Sequence, residues 1–198
     1  MEFELYFDYL CPFVYRASLL LANVAAERGP DVTWRYFSLT QVNSKEDGWT
    51  VWDAPAGDRV RGRLAFKAAE AARRQGRFDV FHPALLAARH ESRLDLDDVH
   101  VIEQVADDSG LDLDWLRQDL DDPAIMRVLE EDHTNAVAKH GVFGTPTFVF
   151  PNGASAYIRL AEAPSGAEAT NLYDRLIAMA GEEPRVLEIK RPVRPSPD

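Results

Sequence analysis

The 198 residues contain one cysteine, Cys11, so no structural disulfide can form within the chain. A secreted, disulfide-stapled scaffold is thereby excluded. Basic charge is also scarce: 22 Lys and Arg face 33 Asp and Glu, a formal net charge of −11. Without a basic block, the electrostatic footprint of a nucleic-acid binder is missing. No apolar run approaches the ~18 residues of a spanning helix, so no membrane partner is expected. The first eight residues, Met1 to Asp8, lack the positive and apolar regions of a signal peptide. The expected home is the cytoplasm, where a lone thiol stays reduced. What remains is a chain 46% hydrophobic and 28% charged, the mix of a globular protein with a sizeable core.

Phe3, Leu5 and Phe7 alternate with Glu4 and Tyr6, which predicts a half-buried strand. It runs into Asp8-Tyr9-Leu10-Cys11-Pro12, and proline suits the first turn of a helix, where its missing N–H has no partner to lose. Val14, Ala17, Ser18, Leu21 and Ala25 share a face of that helix, and Gly29-Pro30 ends it. Val32, Trp34 and Tyr36 mark a second strand. Residues 40–57 show no period and read as a long loop. Helices follow over Arg59–Arg74 and Phe78–His90, then a third capped by Asp97 or Asp98, a short fourth capped by Asp112, and a fifth from Asp121-Asp122-Pro123. The fifth is expected to turn Ile125, Val128, Leu129, Ala136 and Val137 inward. Thr147–Phe150 and Ser155–Leu160, joined by Pro151-Asn152-Gly153, predict a hairpin. Ser165 and Glu168 form a capping box for a last helix burying Leu172, Leu176 and Ile177. The tail, with Pro184, Pro192, Pro195 and Pro197, is expected to be extended and partly disordered. The order β-α-β, helical block, β-hairpin, helix suggests a mixed sheet flanked by helices, with the helical block inserted as a subdomain.

Cys11 is the first candidate for chemistry. A thiol just before a helix N-terminus meets the positive end of the macrodipole, which favours the reactive thiolate; Arg16 acts in the same sense and Asp8 against it. The strand-to-helix junction is expected to hold the sulfur at an exposed sheet edge, whereas an arbitrary lone cysteine would be a small buried hydrophobe. The second candidate is Gly141-Val142-Phe143-Gly144-Thr145-Pro146-Thr147, where a cis Thr145–Pro146 bond would suit a tight turn ahead of a strand. His133 and His140 lie seven apart without a completing ligand set, so no metal site is expected. The Asp clusters near 107 and 119–122 read as helix caps and solvated faces. Trp49 and Trp52 fit a packed loop anchor or a lid over an apolar substrate. Arg61, Arg63, Arg73, Arg74 and Arg77 fit an exposed helix face or an anion site.

Taken together, Phe7 to Tyr15 and Gly141 to Pro146 resemble the active-site segment and the cis-proline loop of the DsbA-like branch of the thioredoxin superfamily. The resemblance spans residues 1–180, and its nearest subgroup holds FrnE-like oxidoreductases and 2-hydroxychromene-2-carboxylate isomerases; Phe37-Ser38-Leu39 and Val42-Asn43 support it. It implies an α/β, thioredoxin-like fold with an inserted all-helical subdomain. The thioredoxin-like domain would comprise residues 1–40 and 129–183, the insertion 58–128, and the extended tail 184–198.

One departure decides the chemistry. The resolving cysteine of a Cys-x-x-Cys pair is here Val14, so the motif Cys11-Pro12-Phe13-Val14 is monothiol. The resemblance implies a thiol-disulfide oxidoreductase with Cys11 as nucleophile and Pro12, Phe13, Val14, Tyr15, Thr145 and Pro146 contacting substrate. No tightly bound cofactor is expected; a low-molecular-weight thiol, glutathione or mycothiol, would be co-substrate. Its partners would be a small thiol or disulfide or a protein disulfide, and members of this subgroup often form homodimers. A thiol-dependent isomerase or kappa-class-like glutathione transferase acting on an aromatic substrate is the alternative, although those enzymes carry serine at the first position. A non-catalytic thiol or peptide binder is the third reading.

Overall fold

In the computed structural model, which describes residues 1–55 and 57–191, β1 (Glu2–Phe7), α1 (Pro12–Arg28) and β2 (Asp31–Tyr36) form the expected β-α-β unit. Cys11 is the residue before α1, Pro12 occupies its first turn, and Gly29 ends it in the left-handed conformation at φ 50°. After β2 come α2 (Leu39–Asn43), α3 (Arg63–Arg74), α4 (Phe78–His90), α5 (Val99–Asp108), α6 (Leu113–Asp121) and α7 (Pro123–His140). β3 (Thr147–Val149), β4 (Ser155–Tyr157) and α8 (Gly166–Gly181) close the fold. The sheet order is β2-β1-β3-β4, with β1 parallel to β2 and antiparallel to β3. The chain is therefore α/β, a mixed thioredoxin-like sheet with helices inserted between β2 and β3.

β1 is central in that sheet and is covered on both faces. Phe3, Leu5 and Phe7 enter the large core, while Tyr6 packs on the opposite face with Phe37, Ala136, Val142 and Val149. The expected half-buried strand is thus corrected, because α7 roofs the second face. Its inward stripe explains how: Ile125, Leu129 and Ala136 are buried, but so are Asp132 and His133, whereas Val137 faces solvent and Val128 is only half-buried. Hydrogen bonds offset the burial of these polar groups. Asp132 Oδ2 accepts from Tyr36 N at 3.0 Å, and His133 Nδ1 accepts from Ser38 N at 3.1 Å. On α1 the buried stripe is Val14, Ala17, Leu20, Leu21 and Val24, in place of one including Ser18 and Ala25.

The stretch 40–57 is not a loop throughout, since its first residues form α2, capped by Ser38 Oγ accepting from Gln41 N. The rest is anchored from behind. Trp52 packs against His133 with ring centres 5.4 Å apart, and Arg63 donates to the carbonyls of Ala54, Pro55 and Asp58. α3 starts at Arg63, not Arg59, because Gly62 adopts φ 79° and gives its N–H to Asp97. Ala65, Ala68, Ala69, Ala71 and Ala72 are all fully buried, and these small residues let α4, α5, α6 and α7 approach α3 closely. Asp98, Asp112 and Asp122 cap α5, α6 and α7 as expected. Ser165 makes no cap bond at α8, so the capping box does not form; α8 buries Ala169, Thr170, Tyr173 and Ile177, leaving Leu172 and Leu176 half-buried. The hairpin strands are three residues each, shorter than the sequence suggested. Of the proline-rich tail, Pro192, Pro195 and Pro197 lie outside the described residues.

Candidate active site

The end of β1 and the start of α1 meet the loop before β3. The Thr145–Pro146 peptide bond is cis, and the Cys11 thiol donates to the Thr145 carbonyl at 3.2 Å across 134 residues of sequence. Cys11 takes no part in capping α1 through its side chain. Its own N–H donates to Asp8 O at 3.1 Å, and its carbonyl accepts from Val14 N at 3.1 Å. The Cys11 backbone is therefore fixed by main-chain bonds, and its sulfur faces the cis-proline loop.

Cys11 is only 4% exposed and Thr145 2%, so the sulfur lies beneath the surface and not at an open sheet edge as the sequence suggested. Burial follows from the loop lying over it. Of the other anticipated site residues, Pro12 is exposed, Phe13 and Tyr15 are half-buried, and Pro146 is buried with its carbonyl accepting from Ile158 N. Val14 is fully buried in the core and has no surface to offer a substrate, because the α1 stripe turns it inward. Thr145 Oγ1 is buried with no hydrogen-bond partner, a state that costs about 1–3 kcal/mol.

Around the residues marked in the sequence lie others that gave no signal there, Tyr157, Arg159 and Glu91. Tyr157 packs over Gly144, where an added Cβ would lie 3.3 Å from its ring, and stacks edge-on with exposed Phe143 at 5.0 Å. Arg159 lies over the Phe13 ring at 4.9 Å, and Arg16 approaches the same ring at 5.3 Å while donating to Leu160 O. On another flank Tyr15 stacks on His90 at 5.5 Å and donates its hydroxyl to Glu91. His90 Nε2 pairs with Tyr9 O at 2.8 Å; burial, the larger effect, holds its pKa below the ordinary value against that bond. Only the tertiary fold brings the hairpin and the end of α4 to Cys11; alternation in 155–160 marks a strand and nothing more.

Asp8 lies beneath this surface. Burial raises its carboxyl from the usual value to about 6, opposed by hydrogen bonds from Leu10 N at 2.8 Å and Leu39 N at 2.6 Å. Both carboxylate oxygens are thus engaged by main chain, one from the turn before α1 and one from the start of α2. Among the arginines weighed as an anion site, Arg63 and Arg73 are structural. Arg63 clasps carbonyls, and Arg73 donates to Trp34 O while lying over Phe78 at 4.4 Å and Tyr36 at 4.9 Å. Arg74 pairs with Asp119 and Asp122. Among the described residues, no three His, Cys, Asp or Glu side chains gather as a metal site would require, and no helix is long and apolar enough to cross a membrane.

Comparison with known proteins places the fold. The family model described as the DSBA-like thioredoxin domain matches residues 2–177. An uncharacterized protein of Mycobacterium tuberculosis, Rv2286c, is 29% identical over 195 residues, covering 98% of this chain and 83% of its own length. Among solved structures, the cytosolic disulfide reductase DsbM from Pseudomonas aeruginosa, solved with GSH, superposes with a TM-score of 0.62 at 15% identity, over 89% of this chain and 99% of that one. A 2-hydroxychromene-2-carboxylate isomerase gives a TM-score of 0.58 at 18% identity, over 90% and 94%. At such identities the structural likeness speaks for the fold alone.

Proposed function

The chain belongs to the DSBA-like thioredoxin domain family, and from that premise we propose that it is a monothiol thiol-disulfide oxidoreductase with Cys11 as nucleophile. The observation that carries the reading is the Cys11 thiol aimed at the carbonyl before the cis proline. In the reaction, the Cys11 thiolate attacks one sulfur of a disulfide R–S–S–R′. The S–S bond breaks, R′–S⁻ leaves and takes up a proton, and Cys11–S–S–R remains. With Val14 in the resolving position, a second thiolate from solution must attack Cys11–S–S–R, releasing the Cys11 thiolate and a new disulfide. The Cys11 thiol then regains its proton and its hydrogen bond to Thr145 O.

A low-molecular-weight thiol such as glutathione or mycothiol fits that second role, since the sulfur lies below the surface and a slim reactant reaches it best. Thr145 holds the substrate by main chain and by its spare hydroxyl, Pro146 sets the loop through its cis bond, and Phe13 and Tyr15 shape the approach. The likeness to a disulfide reductase solved with GSH supports this assignment by fold only. The isomerase reading draws on one observation, the exposed Phe143–Tyr157 pair beside the site, which would suit an aromatic substrate. It predicts thiol-dependent turnover with no net redox change.

Incubation with oxidised glutathione at neutral pH, followed by intact-mass measurement, tests the proposal. One glutathione moiety per chain is expected on the wild type, removable by reduced glutathione, and none on Cys11→Ser. An unmodified Cys11 under conditions where a free model thiol reacts would refute it.

A further inference from the structure

Arg16 and Arg159 approach the same Phe13 ring, at 5.3 and 4.9 Å, two residues along the chain from Cys11. Among the described residues neither guanidinium forms an ion pair. In a chain with a net charge of −11, carboxylates are not scarce. Elsewhere Arg28, Arg74 and Arg117 are each matched to carboxylates at 2.7 Å. Two guanidinium groups against one aromatic ring, with no carboxylate between them, leave positive charge that the ring quadrupole offsets only in part. The missing component is an anion.

The geometry of the two side chains is suited to supplying one. Arg16 spends one Nη donor on Leu160 O, which fixes it in place and leaves its other N–H groups unspent. Arg159 is exposed and lies over Tyr157 as well, at 5.7 Å, which bridges it to the loop carrying Thr145. The orphaned Thr145 hydroxyl, on the residue whose carbonyl accepts from the Cys11 thiol, offers a second polar contact.

We propose that Arg16 and Arg159 form a carboxylate clamp at the mouth of the Cys11 site, so that the protein selects small thiols and disulfides bearing a carboxylate over neutral ones. The inference deepens the proposed function and rests on it for the reaction, though not for binding. It separates the two co-substrates named above: glutathione carries carboxylates, whereas mycothiol, a sugar thiol, carries none.

Two measurements keep clamp and reaction distinguishable. The first is the rate of Cys11 mixed-disulfide formation with glutathione disulfide relative to the neutral hydroxyethyl disulfide, normalised to a free model thiol at low salt. A preference of about tenfold for the acidic disulfide is expected, the scale of one charge-assisted hydrogen bond. It should collapse in Arg159→Gln, be partly restored in Arg159→Lys, and shrink as salt is raised. A normalised ratio near one, or a ratio unchanged in Arg16→Gln and Arg159→Gln, overturns the clamp and leaves the oxidoreductase reading standing. The second is calorimetric binding of S-methylglutathione, which cannot undergo exchange, to Cys11→Ser. Binding weakened several-fold by Arg159→Gln supports the clamp even if Cys11 proves unreactive; no binding overturns it.

Discussion

Asp8 shows how a single buried side chain couples stability to pH. Burial raises its pKa from about 4 to about 6, so the folded state holds the proton more tightly than the unfolded chain does. The stability it contributes is therefore present below the unfolded value and is lost as pH rises through about 6, a cost near 3 kcal/mol at neutral pH. Asn at this position removes that titration but has only one oxygen for the N–H groups of Leu10 and Leu39. Urea unfolding of wild type and Asp8→Asn at pH 4, 5.5 and 7 should show the wild type gaining on the variant by up to about 3 kcal/mol as pH falls. A constant difference across that range would contradict the burial argument. Cys11 and the Gly-Thr-Pro loop were legible as residues, because position next to Pro12 and ahead of a strand narrows what they can do. The exposure of the sulfur was not legible, since it depends on a loop 134 residues away.

Elements were legible where local chemistry sets them. Pro12 and Gly29 bound α1, and Asp98, Asp112 and Asp122 cap their helices, because each acts within one turn of its own position. α2 and the segment that follows it are different. The segment's order derives from Trp52 lying on His133 and from Arg63 spanning three carbonyls, contacts that no periodicity encodes. Burial lowers the Arg63 pKa, but the guanidinium remains a strong triple donor. Replacing it with Met takes the side-chain donor from Ala54 O and one of the two donors from Pro55 O and Asp58 O, which keep the N–H groups of Asp58 and Val60. Arg63→Met should cost about 1–3 kcal/mol in chemical denaturation, and amide exchange should quicken in residues 51–55 and 57–62 while β1 stays protected. Uniform loss of protection would instead place Arg63 in the global core.

Across the whole molecule, two neutral imidazoles oppose Asp8. Burial lowers His82 to about 3 and His133 to about 4. A depressed histidine contributes stability above its unfolded value of 6.5, which is lost as pH falls toward the folded one. At roughly 1.4 kcal/mol per pKa unit, these two outweigh one carboxylate raised to about 6. Net stability, followed by the urea midpoint, should therefore decline from pH 6.5 to pH 4. His133→Gln should flatten the decline; a midpoint rising through that window would refute the balance. His82 sits in an aromatic cage of Phe7, Tyr9, Trp34 and Phe78, with Nδ1 paired to the Tyr9 hydroxyl at 2.9 Å, and that cage joins the sheet to α4. Its members come from β1, the turn after it, β2 and α4, so their spacing in the chain does not announce it.

The sequence by itself determined the order of elements, most of their ends, the monothiol motif and the family. These follow from hydrophobic period, capping chemistry and the placement of one Cys-Pro pair, all short-range properties. Tertiary structure decided which faces are buried and what surrounds the sulfur. α7 covers the second face of β1 and so buries Asp132 and His133; the cis-proline loop lowers Cys11 below the surface; the hairpin delivers Tyr157 and Arg159 to Phe13. Each of these is a contact between segments far apart in the chain, whose partners are set by packing and sheet order, not by the residues adjacent to them.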